Sequence, residues 1–367
     1  MTIVIAGGGT GGHTSPGLAV AAALRDRGVS CAWIGSRAGL EARRAPEAGI
    51  PYYAIRTGKL RRALDWRNVP DVFVNAPAGV LQAWRLLRRL RPRVVFATGG
   101  FVALPVALAA KLARVPLVVH EQTAVPGLAN RLAARVASRV AVTFAESARF
   151  FGATPTVLTG NPLRPELRTG RRSAALEPLG FDPALPFVYV TGGAQGSHAI
   201  NRAIGDGLPD LLTQTQCLHQ CGDNATTGDR AWLTARRAAL PPTLAARYAL
   251  RPWVGDELAD VYAAVALVIS RAGAGTVNEC CQLGVPALYI PLPGAAGDEQ
   301  TANAKLVARA GGCAILPQAG LTPALLVERI QQLLADPARL KEMGERARSL
   351  AVPDAADRLA SLLLELA

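Results

Sequence analysis

Short apolar runs alternate along the chain with stretches whose apolar residues recur at helical spacing. The opening run, residues 2–6, leads into the glycine-rich residues 7–12 and then into an alanine-rich helical stretch. The run at 187–191 repeats this design, with glycine-rich residues 192–196 and a helix from Ser197. Such alternation is typical of α/β domains, which bind ligands at the carboxyl ends of their parallel strands. The repeat therefore predicts two doubly wound α/β domains with a cleft between them.

The same pattern predicts the remaining elements. In the first half, strands are expected at residues 30–35, 94–98, 116–122, 139–144 and 156–159, and a helix at 76–91. In the second half, strands are expected at 266–270 and 285–290, and helices from residue 322 onward, the last of them amphipathic and starting at 354. Residues 164–186, rich in Arg, Gly and Pro, are expected to link the two halves.

Size and composition agree with this organisation. The 367 residues exceed what one ordinary core organises, and half of them are hydrophobic while 5% are aromatic. The six cysteines are scattered, and the first residues already form a strand, so reduced thiols in a cytosolic protein without a secretory leader are expected. The longest apolar stretch, residues 102–119, contains Lys111, Arg114 and two prolines, which makes it a poor transmembrane candidate.

The positive charge lies almost entirely in the first half. The net charge is +13, and residues 1–161 contain 21 Lys and Arg against 7 Asp and Glu, while residues 162–367 contain 19 against 20. A cationic half attracts polyanions, such as an anionic membrane face, a phosphorylated lipid or nucleic acid. Nucleic acid is disfavoured because no recognition motif or aromatic interleaving accompanies the basic residues. A merely compositional origin of the charge stays open.

His13 follows the first glycine-rich stretch directly. Such a loop exposes backbone N–H groups at the positive end of a helix dipole, where an anion or a sugar can bind. The same potential lowers the pKa of a histidine, and an imidazole that is neutral near pH 7 can accept a proton. His13 is therefore the candidate general base, with a capping or packing histidine as the alternative.

Two nucleotide-binding motifs are disfavoured at this loop. Gly7-x-Gly9-x-x-Gly12 fits the dinucleotide fingerprint, but residues 34–37, at the end of the second predicted strand, lack the carboxylate that this fingerprint needs. The stretch also half-resembles a P-loop, in which His13 would replace the required lysine. We therefore expect no NAD or ATP, and no cofactor.

A second candidate site begins at residue 271. Residues 271–279 place small side chains at a strand-to-helix turn, where backbone donors can bind a diphosphate, and Glu279 can accept two ribose hydroxyls. The alternative is a plain turn with a surface carboxylate. The sequence contains no Asp-x-Asp, and residues 217–221 (Cys-Leu-His-Gln-Cys) are better explained as a buried strand than as metal ligands. No metal site is therefore expected.

Several motifs occur along essentially the whole chain. Taken together, and in this order, they closely resemble those of the MurG family of peptidoglycan-precursor N-acetylglucosaminyltransferases. They are Gly8-Gly-Thr-Gly-Gly-His13 with Pro16-Gly-Leu-Ala19, Gly99-Gly-Phe-Val102, His120-Glu-Gln122, Gly160-Asn-Pro-Leu-Arg164, Gly192-Gly-x-Gln-Gly196, Arg271-Ala-Gly-Ala274, Glu279 and Gln300-x-x-Asn303.

The resemblance implies a GT-B fold and a two-substrate reaction. The first domain, residues 1–161 with the C-terminal helix 354–367, would hold the acceptor, undecaprenyl-diphosphate-linked N-acetylmuramyl pentapeptide. The second, residues 162–353, would hold the donor, UDP-N-acetylglucosamine. The product of this inverting, metal-independent transfer would be lipid II. The enzyme would act peripherally at the cytoplasmic face of the cell membrane, against an anionic surface.

The resemblance also implies the site residues, with His13 as the base. Arg164 and the 193–196 loop would bind the diphosphate, Val254 would meet uracil through its backbone, Glu279 would hold the ribose and Gln300 the sugar. The full set of implied substrate ligands is Thr10, Gly11, Gly12, Thr123, Arg164, Gly193, Ala194, Gln195, Gly196, Val254, Arg271, Ala274, Gly275, Thr276, Val277, Asn278, Glu279 and Gln300.

Two of these positions depart from the family pattern, and alternatives to the function stay open. Thr123 stands where the family usually has Asn, and can still donate one hydrogen bond. Ala194 stands where it usually has Ser, and offers only its backbone. A UDP-sugar epimerase or another glycolipid glycosyltransferase is the alternative within the fold. A basic membrane- or nucleic-acid-binding protein without turnover is the alternative outside it.

Overall fold

A computed structural model describes residues 1–9, 11–58 and 75–367, so Thr10 lies outside the described residues. The chain divides into two units, residues 1–164 with 352–367 and residues 165–351. The sequence placed these divisions after residue 161 and before residue 354. Arg164, which the sequence assigned to the second domain, is thus the last residue of the first stretch of unit 1.

Unit 1 is a parallel sheet flanked by helices. Its strands, in the sheet order β3-β2-β1-β4-β5-β6-β7, are β1 (Thr2–Gly7), β2 (Ser30–Ser36), β3 (Tyr52–Ile55), β4 (Val94–Gly99), β5 (Leu117–Glu121), β6 (Arg139–Val142) and β7 (Thr156–Leu158). Its first helices are α1 (Gly11–Arg25), α2 (Glu41–Glu47), α3 (Ala76–Leu90), α4 (Ala103–Ala113) and α5 (Leu128–Ala134).

Unit 2 repeats this architecture with six parallel strands. In the sheet order β10-β9-β8-β11-β12-β13 these are β8 (Phe187–Thr191), β9 (Gln216–Gln220), β10 (Tyr248–Arg251), β11 (Leu267–Ser270), β12 (Ala287–Tyr289) and β13 (Cys313–Ile315). The helices are α6 (Arg172–Leu176), α7 (His198–Leu211), α8 (Asp229–Ala238), α9 (Pro242–Ala245), α10 (Leu258–Ala264), α11 (Ala274–Leu283), α12 (Glu299–Arg309), α13 (Pro323–Leu334) and α14 (Pro337–Arg348). The final helix of the chain, α15 (Ala355–Glu365), belongs to unit 1.

The predicted α/β class with two doubly wound sheets is confirmed, and every strand predicted from an apolar run is present. Three strands were not predicted, namely β3, β10 and β13, and each lies at the edge of its sheet. The buried sides of the unit 1 sheet are covered by α3, α4 and α5 on one face and by α1 and α15 on the other. Among the described residues, none of the helices is long and apolar enough to span a bilayer.

The strand orders locate the candidate sites. In each sheet the order reverses between two central strands, β1 and β4 in unit 1 and β8 and β11 in unit 2. Ligands of open α/β sheets bind outside the carboxyl ends of strands at such a point. Both glycine-rich stretches and the turn after Ser270 follow these central strands, so each candidate site lies where the fold predicts one.

Candidate active site

His13 is held against the end of β4 by hydrogen bonds in both directions. It is the third residue of α1, and its Nδ1 lies 3.0 Å from the Thr98 carbonyl oxygen. The Thr98 hydroxyl donates in turn to the His13 carbonyl oxygen at 2.7 Å. A Cβ atom at Gly99 would lie 2.7 Å from His13 Nδ1, so only glycine at that position permits this packing. The end of β4 thus fixes the imidazole.

The partner of His13 determines its tautomer. A carbonyl oxygen can only accept, so Nδ1 carries the proton in this contact and Nε2 keeps its lone pair. The pKa of His13 is lowered, mainly by burial, while the Thr98 carbonyl and the charge of Glu41 act in the opposite direction. The direction agrees with the sequence analysis, which attributed it to the helix dipole. A neutral His13 can therefore accept a proton at Nε2.

The polar residues at and just after the end of β5 make hydrogen bonds within unit 1. Gln122 Nε2 donates to the same Thr98 carbonyl at 2.8 Å. His120 is completely buried with its Nε2 at 3.0 Å from the Gly160 carbonyl oxygen, and burial lowers its pKa to about 4. Burial also raises the pKa of Glu121, whose carboxyl group accepts from Asn130 Nδ2 at 2.9 Å. Gln122 thus shares the Thr98 carbonyl with His13, while His120 and Glu121 are satisfied by other partners.

Thr123 is turned toward the protein. Its N–H donates to Glu121 Oε1 at 2.9 Å, and its hydroxyl lies 2.6 Å from the same oxygen. The sequence analysis noted that the Thr123 hydroxyl can donate one hydrogen bond. In the structure this hydroxyl donates to Glu121, a partner within the chain. Gly11 and Gly12 form the start of α1, beside His13, where their backbone is accessible. Arg164 is exposed at the end of the first stretch of unit 1.

Gln220 organises the candidate site of unit 2, and the sequence analysis missed it. Its Oε1 accepts from Tyr189 Oη at 3.1 Å and from Val254 N at 2.9 Å. Its Nε2 donates to Thr191 Oγ1 and to the Gly193 carbonyl oxygen, each at 3.1 Å. An amide side chain has two donor and two acceptor positions, so this buried side chain is fully satisfied. It joins the glycine loop after β8 to the segment after β10.

The hydrogen bonds of Gln220 limit which backbone groups nearby can bind a ligand. The N–H of Val254 already donates to Gln220, so only its carbonyl is left for the uracil contact expected there. In the loop after β8, Gly193 N donates to Thr191 Oγ1 and Gly196 N to the Gly193 carbonyl, both at 3.0 Å. Within the described chain, the N–H groups of Ala194 and Gln195 donate to no other group. These two are the loop donors that can meet an anion.

The turn after β11 presents the N-terminus of α11. The first bond of this helix runs from Val277 N to the Gly273 carbonyl oxygen at 3.0 Å, so the N–H groups of Ala274, Gly275 and Thr276 precede it. Glu279 lies in the second turn, half-buried, and its Oε2 accepts from Tyr262 Oη at 2.8 Å. The carboxylate is thus held at a fixed distance from the donors at the helix N-terminus.

Other expected ligands of unit 2 make contacts within the chain. Val277 is completely buried, and Asn278 Nδ2 donates to the Ala274 carbonyl oxygen at 2.7 Å. The Arg271 guanidinium donates to the carbonyl oxygens of Ile290 (2.9 Å) and Pro291 (3.2 Å), and burial lowers its pKa to about 10. Gln300 Oε1 accepts from Leu292 N at 2.9 Å. Their roles as ligands stay predictions.

The possible metal motif at 217–221 is a buried strand, as the sequence analysis favoured. His219 is completely buried, with Nδ1 at 2.8 Å from Tyr248 Oη and Nε2 at 3.0 Å from Asn201 Oδ1, and burial lowers its pKa to about 3. Cys217 and Cys221 are buried beside it. In the part of the chain that the structure describes, no group of three or more His, Cys, Asp or Glu is arranged to hold a metal ion.

Comparison with known proteins gives consistent matches over both units. Residues 3–142 match the glycosyltransferase family 28 N-terminal domain, and residues 187–359 match the C-terminal domain of the same family. The chain is 42% identical to the UDP-N-acetylglucosamine–N-acetylmuramyl-(pentapeptide) pyrophosphoryl-undecaprenol N-acetylglucosamine transferase of Halorhodospira halophila, covering 100% of this chain and 98% of the relative. It is 40% identical to the protein of the same name from Alkalilimnicola ehrlichii, covering 100% and 99%.

A solved structure matches as well. The crystal structure of Acinetobacter baumannii MurG superposes with a TM-score of 0.77 at 30% identity, covering 99% of each chain. The resemblance inferred from the motifs, and the GT-B class that it implied, are confirmed. Because full-length relatives and both domain matches agree, the chain belongs to glycosyltransferase family 28 and, within it, to the MurG family of N-acetylglucosaminyltransferases.

Proposed function

We propose that this protein transfers N-acetylglucosamine from UDP-N-acetylglucosamine to the muramyl sugar of undecaprenyl-diphosphate-linked N-acetylmuramyl pentapeptide, producing lipid II. One observation carries the proposal. Two relatives named for this transfer match the whole chain at 42% and 40% identity, and the site residues follow each other in the same order as the family motifs. The reaction inverts the anomeric carbon of the transferred sugar.

His13 is the general base in this proposal. The acceptor hydroxyl oxygen forms a bond to the anomeric carbon of the donor, while the bond from that carbon to the diphosphate oxygen breaks and UDP leaves with the electron pair. The hydroxyl proton passes to Nε2 of His13, the nitrogen that the Thr98 contact leaves with a lone pair. The support for this role is the geometry at Thr98 and the lowered pKa of the imidazole.

Unit 2 holds the donor in this proposal. The N–H groups of Ala194 and Gln195 and those at the start of α11 offer oriented donors to the diphosphate. Donors fixed before the reaction stabilise the charge that develops on the leaving group without reorganising. The Glu279 carboxylate accepts hydrogen bonds from the ribose hydroxyls, and the Val254 carbonyl contacts uracil. Arg164 supplies a cation to the same diphosphate.

The transfer is tested with radiolabelled UDP-N-acetylglucosamine and the lipid-linked acceptor. We expect label in the lipid fraction and stoichiometric release of UDP. A UDP-sugar epimerase, the alternative from the sequence, would change the donor without moving label into lipid. Label confined to the aqueous fraction, with UDP bound normally, would therefore refute the transfer. A protein without turnover would release no UDP.

The acceptor is anchored in a membrane, and we propose that unit 1 binds the anionic cytoplasmic face peripherally. Helices α3 and α4 pack together and carry exposed apolar side chains, of which Leu112 is 66% and Leu81 46% exposed. Arg85 and Lys111 are exposed on the same helices. Exposed apolar side chains on helices that also carry exposed cations suit a membrane interface with anionic headgroups. Trp84, also on α3, is partly buried and packs against the core of unit 1.

Vesicle binding tests this surface. We expect Leu112→Glu to weaken binding to phosphatidylglycerol vesicles by about tenfold or more, because a buried leucine contributes about 1.5–3 kcal/mol and the new charge is repelled. Cosedimentation measures the change. Leu325→Glu is the matched control, since Leu325 is an exposed leucine (40%) in unit 2. Equal binding by the wild type and Leu112→Glu would exclude this surface.

A further inference from the structure

A carboxylate is buried at the first glycine-rich stretch of unit 1. Glu41, the first residue of α2, is completely inaccessible to solvent. Its Oε2 accepts from Gly9 N at 2.9 Å, and its Oε1 accepts from Ser36 N at 3.0 Å and from Ser36 Oγ at 2.6 Å. Burying a carboxylate is unfavourable unless donors compensate for the lost water. These contacts therefore join the end of β2 to the loop that follows β1.

The surrounding chain leaves just enough room for this side chain. A Cβ atom at Gly8 would lie 2.0 Å from Glu41 Cδ, and one at Gly39 would lie 2.1 Å from Glu41 Oε2. Any other residue at these two positions would displace the carboxylate. Trp33 Nε1 also donates to the Gly7 carbonyl oxygen at 3.0 Å. The glycine-rich stretch is thus held from inside the unit at Gly7 and Gly9, shortly before α1 begins.

The charge of Glu41 changes what this loop can do. Gly9 N–H points at the carboxylate, so it is not directed at a ligand, and a fixed negative charge disfavours a second anion beside it. The same charge raises the pKa of His13. Among the described residues, the titratable groups that face His13 are Glu41 from α2 and His120 from β5, and burial keeps His120 neutral.

We propose that Glu41 is a positioning residue of the transferase: its buried carboxylate, bonded to Gly9 and to Ser36, anchors the glycine-rich stretch so that α1 presents His13. This inference rests on the proposed role of His13 as the base. Glu41 does not touch substrate in this account. It acts through the loop and through the electrostatic potential at the imidazole.

Glu41→Gln tests the proposal because it keeps the shape of the side chain and removes its charge. We expect the acidic limb of the pH profile of kcat/KM to move to lower pH by about 0.5 to 1 unit, the size of one charge acting at an intermediate effective dielectric constant. The sign follows because loss of the carboxylate lowers the pKa of His13. We also expect kcat to fall about tenfold, since the amide cannot accept all the hydrogen bonds. KM for UDP-N-acetylglucosamine should not change.

Two further variants separate charge from shape. Glu41→Asp keeps the charge, so its acidic limb should stay in place while kcat falls. Glu47→Gln removes an exposed carboxylate from the same helix, which pairs with Arg43 and Arg44, and should leave both kcat and the limb unchanged. If Glu41→Gln does not fold, Glu41→Asp carries the test, and wild-type kcat in that variant would overturn the proposal.

The titration of His13 gives a readout that does not depend on turnover. NMR titration of the ligand-free protein follows the imidazole, assigned by comparison with His13→Ala, and Glu41→Gln should lower its pKa. An unchanged His13 pKa together with an unchanged acidic limb would overturn the role of the charge, even if stability fell. A wild-type protein that transfers no label would instead refute the proposed function, and the NMR titration would still decide the effect of Glu41 on His13.

Discussion

His13→Ala is expected to lower kcat/KM for the transfer by about 10²- to 10⁴-fold, the usual contribution of a general base. The reason is the contact with Thr98, which leaves Nε2 as the nitrogen that can take the acceptor proton. Burial lowers the pKa of His13, so in the wild type the acidic limb of kcat/KM should lie below the ordinary histidine value of about 6.5. Initial rates with lipid-linked acceptor between pH 5 and 9 measure both effects.

His13→Asn is the matched variant for this experiment. Its amide can still donate to the Thr98 carbonyl but cannot act as a base near neutral pH, so its loss should equal that of alanine. Activity restored by asparagine would show that His13 only holds the loop in place. Binding of UDP should be the same in both variants and in the wild type, because neither variant changes a residue that the proposal assigns to UDP.

Glu279→Ala is expected to raise KM for UDP-N-acetylglucosamine by about 10- to 100-fold, because hydrogen bonds to a charged group contribute about 1.5–3 kcal/mol. Tyr262→Phe should cause a smaller rise, since it removes the hydroxyl that lies 2.8 Å from Glu279 Oε2 but leaves the carboxylate. Saturation kinetics at fixed acceptor concentration measure both changes, and kcat should be much less affected than KM.

Deoxyribose analogues test whether the carboxylate meets the ribose. UDP should inhibit the wild type more strongly than 2′-deoxy-UDP, and Glu279→Ala should abolish this difference. If the variant still discriminates between the two inhibitors by the wild-type factor, Glu279 does not bind the ribose hydroxyl.

The central strands could be predicted from the sequence because they are buried on both faces. Strands such as β4 and β8 consist largely of consecutive apolar residues, as is typical of parallel strands that are buried on both faces. The unpredicted strands β3, β10 and β13 are three or four residues long and lie at sheet edges. There, one side lacks a neighbouring strand, so the apolar run is short and its pairing depends on the rest of the sheet.

Site residues could be predicted from the sequence only where they lie in or next to turns rich in small residues. His13, Glu279 and the glycine-rich stretches stand out by their position after apolar runs. Gln220 and Glu41 do not, because their roles depend on partners that are distant in sequence, such as Val254 for Gln220 and Gly9 for Glu41. The carboxylate sought at residues 34–37 is absent there, yet Glu41 reaches the end of the same strand from the following helix. Hydrogen bonds between residues so distant in sequence can be located only once the fold is known.

The return of residues 352–367 to unit 1 has a consequence for how the chain folds during synthesis. Leu359 and Leu363 of α15 are completely buried in the cluster that contains Ile3 and Ile5 of β1. The ribosome makes these two parts of one core at opposite ends of the chain, with all of unit 2 in between. Domains that emerge first usually fold first. Here the core of the earlier unit is complete only once α15 has been made, which is after the whole of unit 2 has been synthesised.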